Sequence, residues 1–180
     1  YRALLQLHGH QQWWPTALED GPGARLEICF GAILTQNTSW KGAAAALENL
    51  HAADALDAEA ILGLPTDVLA DLVRPSGHFN VKARKLQEFC TEVVEGYGDI
   101  DELLDAEPEE LRERLLAIWG IGPESADAIT LYAARQPTFV VDAYSYRLFE
   151  RLDLPPGPRK YDVYREFFLE KIGPDVEQLN

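Results

Sequence analysis

Leu115-Leu116-Ala117-Ile118-Trp119-Gly120-Ile121-Gly122-Pro123-Glu124-Ser125-Ala126-Asp127-Ala128-Ile129 sets two helical patterns on either side of a Gly-Ile-Gly-Pro break. Leu111, Leu115, Leu116 and Ile118 give one apolar helical face, and Gly120 is the residue type that stops a helix in a left-handed conformation. Pro123 suits the first position of a following helix, where its missing N–H costs nothing. The stretch therefore reads as helix, tight Gly-Ile-Gly turn, helix, over about 108–134. Such a turn points backbone N–H groups and a helix N-terminus outward, which suits a phosphate, although the same pattern also serves as an ordinary connection. Further on, 138–141 (Thr-Phe-Val-Val) reads as extended, Asp142 follows, and 143–149 has a helical pattern. Asp142 has two readings: a plain N-cap, since Asp is a favoured cap residue, or a functional carboxylate at a loop-to-helix junction.

A chain of 180 residues with 47% hydrophobic content and four Trp fits one medium domain or two small lobes sharing a cleft. No apolar run approaches a membrane span and no signal pattern opens the chain, so a soluble cytosolic protein without a membrane partner is expected. Cys29 and Cys90 stand apart in helical patterns and read as buried thiols, neither a disulfide framework nor a metal site. Sixteen Lys and Arg against thirty Asp and Glu give a net charge of −14. Non-specific DNA affinity comes largely from phosphate neutralisation, so this balance counts against a polyanion partner unless the basic residues are segregated on one face. Met is absent, position 1 included, which suggests a processed product or a piece of something longer.

The N-terminal residues read as a short helix with Leu4 and Leu7 facing in, broken at Trp13-Trp14-Pro15. Adjacent tryptophans cannot both bury on one helix face, so the pair is either a packed plug or a wall of a pocket. Positions 25–36 are apolar nearly all round and mark a central helix. Gln36-Asn37-Thr38-Ser39 interrupts it, with Thr38 or Ser39 able to cap a helix over 40–50. Asp57 and Thr66 look like caps of two short helices, 58–63 and 67–73. Arg74-Pro75-Ser76-Gly77 is a turn, His78 and Phe79 form an aromatic pair beside it, and Asn80 is placed to cap a long helix over 81–97. Lys82, Arg84 and Lys85, with Arg74, are the densest positive cluster in the chain and read either as a solvated helix face or as a contact to a DNA backbone. Helical signals extend to 161–172, so the class is all-α.

Gly122-Pro123-Glu124-Ser125-Ala126-Asp127-Ala128 followed by Val140-Val141-Asp142-Ala143-Tyr144-Ser145-Tyr146 resembles the helix-hairpin-helix, glycine/proline-rich loop and aspartate signature (HhH-GPD) of the endonuclease III-like DNA glycosylases. The nearer likeness is to the endonuclease III-related and 3-methyladenine glycosylase branch. Gly31-Ala32-Ile33-Leu34-Thr35-Gln36-Asn37-Thr38-Ser39-Trp40 and Gly77-His78-Phe79-Asn80-Val81-Lys82-Ala83 agree, in the family's order. The resemblance implies a two-lobed fold with a central cleft, a terminal helical lobe of 1–24 with 143–180, and a barrel lobe of 25–142 that carries the hairpin. It implies base-excision repair: hydrolysis of the N-glycosidic bond of a damaged base in double-stranded DNA, with Asp142 catalytic. The hairpin turn (Gly120, Ile121, Gly122) would hold a phosphate, and Gln36 with Asn37 would enter the gap left by the flipped nucleotide. His78, Phe79, Asn80 and Lys82 would wedge and grip the duplex, and Glu124 and Ser125 would border the base. A monomer acting on nucleoid DNA in the cytoplasm is expected.

Two departures matter. Bifunctional members carry a nucleophilic lysine where this chain has Glu124, and a carboxylate cannot form a Schiff base, so a monofunctional enzyme without AP-lyase activity is expected. Many relatives end in four clustered cysteines around a 4Fe-4S cluster; this chain has none there, so no cofactor is expected unless such a tail follows Asn180, in which case Leu4 and Leu7 would be left uncovered. Alkylated purines are the expected lesion, with oxidised pyrimidines or a non-catalytic DNA-binding module as alternatives.

Overall fold

The apolar run in the first third of the chain becomes the central helix of a computed structural model that describes residues 2–9, 14–18, 20–154 and 156–172. Among these residues the structure is helical throughout and contains no strand. After α1 (Arg2–His8), α2 (Pro22–Leu34) starts on a proline and is buried from Leu26 to its end, as a helix without a polar face must be. Around it pack α3 (Trp40–Ala52), α4 (Ala58–Gly63), α5 (Thr66–Leu72), α6 (Phe79–Thr91) and α7 (Ile100–Leu104), then the hairpin helices α8 (Pro108–Ala117) and α9 (Pro123–Ala128). α10 (Ala143–Arg151) and α11 (Tyr161–Ile172) close the described chain. No helix among the described residues is long and apolar enough to cross a membrane.

Caps account for several boundaries. The Asp57 carboxylate accepts from the Ala60 N–H at 3.1 Å and Asp99 from Glu102 at 2.9 Å, each satisfying a first-turn donor. Thr66 instead is already helical and its hydroxyl bonds Gln87 at 3.0 Å. Asn80 does not cap α6 either: His78 takes the N-cap position with φ 47°, and the helix starts at Phe79, leaving Asn80 exposed in its first turn. α6 and α9 each continue as π-helix, over Glu92–Tyr97 and Ile129–Ala133.

Apolar side chains form two clusters. The larger runs from Leu26 to Ala133 and takes in Trp14, Leu18 and Val140 at its edge. The smaller joins Val141, Tyr164 and Phe168 with a shell of aromatics, Phe139 stacked on Phe168 at 4.2 Å between centroids. The residues expected to be extended, 138–141, lie between the two and belong to no helix or ladder. Leu7 is 75% exposed on α1; the Leu4 side chain, Trp13 and 173–180 lie outside the described residues.

Candidate active site

The hairpin is built by a turn rather than by a glycine helix stop. α8 ends at Ala117, Ile118 turns extended (ψ 126°), and the Ile121 N–H donates to the Ile118 carbonyl at 3.1 Å, with Gly120 at φ 92° inside the turn. Only glycine fits at 120. Its φ is left-handed, and a Cβ there would stand 2.6 Å from Cγ of Lys85, whose stem runs across the turn. Ile121, expected at the DNA face, has its side chain in the core and its N–H committed to the turn, so it offers neither to a ligand.

This turn borders a cleft of about 1200 Å³ that Asp142, Glu124, Ser125, Gln36 and Asn37 also line. Its aromatic side is Trp14, Trp40 and Tyr132, with the Trp14 centroid 5.3 Å from Trp40 and 5.2 Å from Tyr132. Trp14 reaches this place because Gly31 leaves room; a Cβ at Gly31 would meet the indole at 2.9 Å. Both expectations for this tryptophan hold at once, since it plugs the core edge and walls the cleft.

Asp142 is an N-cap and more. Its Oδ1 accepts from the Ser145 N–H at 2.7 Å and hydroxyl at 2.8 Å, and its own N–H donates to Ser145 Oγ at 3.4 Å, a complete capping box. Those bonds occupy one carboxylate oxygen, and the residue still borders the cleft. Its charge reaches both walls. Partial desolvation, then the Asp142 charge, push the Glu124 carboxyl above its usual range, and burial with the same charge pushes the Tyr132 hydroxyl up to about 12.

Gln36 is fully engaged. Its Nε2 donates to the Gly120 carbonyl at 3.0 Å and to Ser125 Oγ at 2.9 Å, while Oε1 accepts from Lys85. A base offered to this amide would have to replace bonds already made, so Gln36 braces the hairpin in this state. Ser125 is buried and its hydroxyl donates to the Ala32 carbonyl at 3.4 Å.

The positive cluster divides. Lys82, expected on the DNA face, is 2% exposed, and its ammonium donates to the Leu34 carbonyl at 2.8 Å and the Ser76 carbonyl at 2.6 Å. It ties the end of α2 to the turn before α6, and burial, then the nearby Lys85, lower its pKa to about 8. A side chain turned inward on two carbonyls cannot also reach a phosphate. Arg84 stacks over Trp119 at 4.2 Å and pairs with Glu88 at 3.3 Å. Arg74 pairs with Asp71 and lies 4.1 Å over the Phe79 ring, which packs on the larger cluster instead of projecting as a wedge. Lys85 remains at the cleft, its pKa lowered by burial. Beside it a small pocket of about 220 Å³ gathers Asn37, His78, Val81 and Lys82. Asn37 (φ 54°) and His78 (φ 47°) both take left-handed backbone there, uncommon for non-glycine residues.

Among the described residues no His, Cys, Asp or Glu group could hold a metal. Cys29 and Cys90 are both buried in the larger cluster, with burial pushing both thiols up, and two such thiols do not fit an iron–sulfur cluster. Tyr132 and Tyr161 line the cleft without having been marked in the sequence. Tyr132 had a signal, at i+8 from Glu124 along a helical face; Tyr161, beyond a proline-rich loop, had none.

An all-helical cleft with a hairpin on its border and an aspartate at a helix start defines the class, and comparison with known proteins places the chain within it. Residues 30–174 match the family model of the HhH-GPD superfamily of base excision DNA repair proteins, and the chain belongs to that superfamily; it is a DNA glycosylase. Over 179 residues it is 42% identical to the putative DNA repair glycosylase MJ1434 of Methanocaldococcus jannaschii, covering 98% of this chain and 79% of that protein. Endonuclease III of Sulfolobus acidocaldarius is 30% identical over 142 residues, 78% of this chain and 62% of that one. The crystal structure of the 3-methyladenine DNA glycosylase MagIII of H. pylori, bound to 1,N6-ethenoadenine, superposes with a TM-score of 0.82 at 31% identity over 99% of this chain and 88% of that one.

Proposed function

We propose that this glycosylase is monofunctional and releases alkylated purines such as 3-methyladenine from double-stranded DNA. The observation that carries the reading is the cleft itself: the Asp142 carboxylate on one side, Glu124 in place of a nucleophilic lysine, and an aromatic wall of Trp14, Trp40 and Tyr132. A damaged nucleotide leaves the duplex at a cost of a few kcal/mol, smallest for damaged bases, and enters the cleft. Electron-rich rings favour a cationic alkylated base there. Asp142, one oxygen fixed by its capping box, keeps a negative charge beside the sugar as the glycosidic bond breaks, stabilising the oxocarbenium-like state and orienting or deprotonating the attacking water. The likeness to the H. pylori enzyme supports the alkylated-base side of this reading, and the reaction needs only the chain's own groups. A single copy acting on nucleoid DNA in the cytoplasm completes the reading.

The test is a substitution that keeps the cap. Asp142→Asn should fold and bind duplex DNA, while excision of methylated purines falls about a hundredfold or more. If Asp142 is a cap alone, Asn serves nearly as well and activity stays near wild type. A lesion panel decides the substrate: release of thymine glycol without release of methylated purines would replace it with an oxidised pyrimidine. Borohydride during excision should trap no adduct; a robust adduct would mean that an amine of the chain acts as a lyase nucleophile, with Lys85 at the cleft the first to substitute.

A further inference from the structure

The segment that delivers Asp142 to the cleft has no ladder and no helix to set its path. Two side-chain grips hold it instead. At its start, the buried Thr138 hydroxyl donates to Asp127 Oδ1 at 2.7 Å and accepts from Arg165 Nε at 3.0 Å. Arg165 Nε also donates to the same Asp127 oxygen at 2.9 Å, and its Nη2 to Glu109 at 2.7 Å. At its end, the N–H of Val141, the residue before Asp142, donates to the Tyr161 hydroxyl at 3.4 Å. Asp127 lies on the second hairpin helix, one turn beyond Glu124, and Tyr161 and Arg165 are successive turns of α11. One helix therefore grips the segment at both ends and braces it against the hairpin.

Asp127 is fully buried, and Arg112 adds a second guanidinium at 3.3 Å. Burial, followed by the neighbouring Asp127 carboxylate, holds the Tyr161 hydroxyl protonated well above its usual range. A hydroxyl that keeps its proton has its oxygen lone pairs available to accept from the Val141 N–H. A catalytic carboxylate must be held to a fraction of an ångström, and misplacement by about 1 Å can cost a hundredfold in rate.

We propose that Tyr161 and the buried Thr138–Asp127–Arg165 cluster are positioning residues that set the place of Asp142, so that α11 completes the active site without touching the substrate's reacting atoms. The proposal rests on the reading of Asp142 as the catalytic carboxylate.

Tyr161→Phe tests it with the least disturbance, because the ring stays in the aromatic cluster and only the hydroxyl goes. Single-turnover excision of the lesion released in the panel should fall roughly tenfold. Affinity for a duplex carrying a tetrahydrofuran abasic analogue should stay near wild type, and the thermal midpoint should fall by about 2–4 °C, the cost of one long hydrogen bond to a buried N–H. Thr138→Val should behave alike, and Thr138→Ser, which restores the hydroxyl, should recover the rate. The decisive arm is the pair Asp142→Asn and Asp142→Asn/Tyr161→Phe. Positioning that acts through the Asp142 carboxylate predicts no further loss in the double variant. Losses that multiply, a wild-type rate in Tyr161→Phe, or a fall in affinity that matches the fall in rate would each overturn the proposal. An Asp142→Asn protein as active as wild type would remove the catalytic reading itself, an outcome distinct from full activity in Tyr161→Phe beside an inactive Asp142→Asn.

Discussion

On the Asp142 side of the cleft the interior charges are paired: Asp127, wholly buried, sits between Arg165 at 2.9 Å and Arg112 at 3.3 Å, and Thr138 adds a neutral hydrogen bond. On the Lys85 side a single buried ammonium, Lys82, is held by two backbone carbonyls and faces no carboxylate among its hydrogen-bond partners. Both centres join elements distant in sequence, α9 to α11 in one case and the end of α2 to the turn before α6 in the other. The paired centre keeps its charges through electrostatic compensation, whereas the lone ammonium keeps its geometry with a depressed pKa. The two sides therefore yield in different ways: the first through loss of a partner, the second through a change in protonation.

The largest effect should come from breaking the pairing. Asp127→Ala removes the buried carboxylate that two guanidinium groups share and leaves each with one partner nearer the surface, Arg112 with Asp162 at 2.8 Å and Arg165 with Glu109 at 2.7 Å. It should destabilise the fold by about 2–4 kcal/mol. Chemical denaturation measures it. A loss under about 1 kcal/mol would mean that water, Asp162 and Glu109 compensate the arginines in full, and the contrast between the two sides would shrink.

Lys82→Met should cost less, about 1–3 kcal/mol, from two carbonyls left without their donor, offset in part by removal of a buried charge. Its signature is pH dependence. The ordinary lysine value of 10.5 belongs to the unfolded chain and about 8 to the folded one, so between these values the unfolded state binds more protons. Wild-type stability should therefore gain from this group as pH rises from 8 toward 10.5, while the Met variant lacks that gain and the gap between them widens. A gap that narrows with pH would mean the ammonium is stabilised in the fold. Because Lys82 points inward, its substitution should leave the salt dependence of DNA binding unchanged, whereas Lys85→Glu should reduce the slope by roughly one unit if Lys85 meets a phosphate.

Residue pattern exposed some of this arrangement and hid the rest for physical reasons. The hairpin, the central helix and the Asp142 junction were legible because each depends on short-range rules: apolar period, glycine at a left-handed position, proline at a helix start, aspartate as cap. Lys82 was misplaced because a Lys among Arg84 and Lys85 looks like a solvated face, and only tertiary packing turns it toward Leu34 and Ser76. Thr138, Asp127 and Arg165 were silent for the same reason, since nothing local pairs residues on different helices. The wedge role of Phe79 came from the family resemblance alone, and its ring instead packs on the larger cluster under Arg74. Glu124 was visible as a departure from the family pattern, but its electrostatic setting came only with the cleft.

That setting yields the smallest effect and the finest probe of the Asp142 side. Glu124 has its carboxyl pushed up by partial desolvation and by Asp142, so the folded state holds its proton more readily than the unfolded chain does. Once ionised, Glu124 is a penalty to the folded state, present at neutral pH and absent at pH values below the ordinary carboxylate value of 4.5. Glu124→Gln removes that penalty and should raise the thermal midpoint at pH 7, by a small amount because Glu124 is exposed and solvent screens the repulsion. The gain should fade as the pH is lowered toward 4. It should shrink without vanishing at pH 7 in an Asp142→Asn background, where the like charge is gone and desolvation, the larger cause, remains. A gain indifferent to both pH and Asp142 would mean that the introduced amide simply packs better. A gain that follows both would show that this wall of the cleft carries two carboxylates in conflict, with stability given up where the chemistry is proposed to occur.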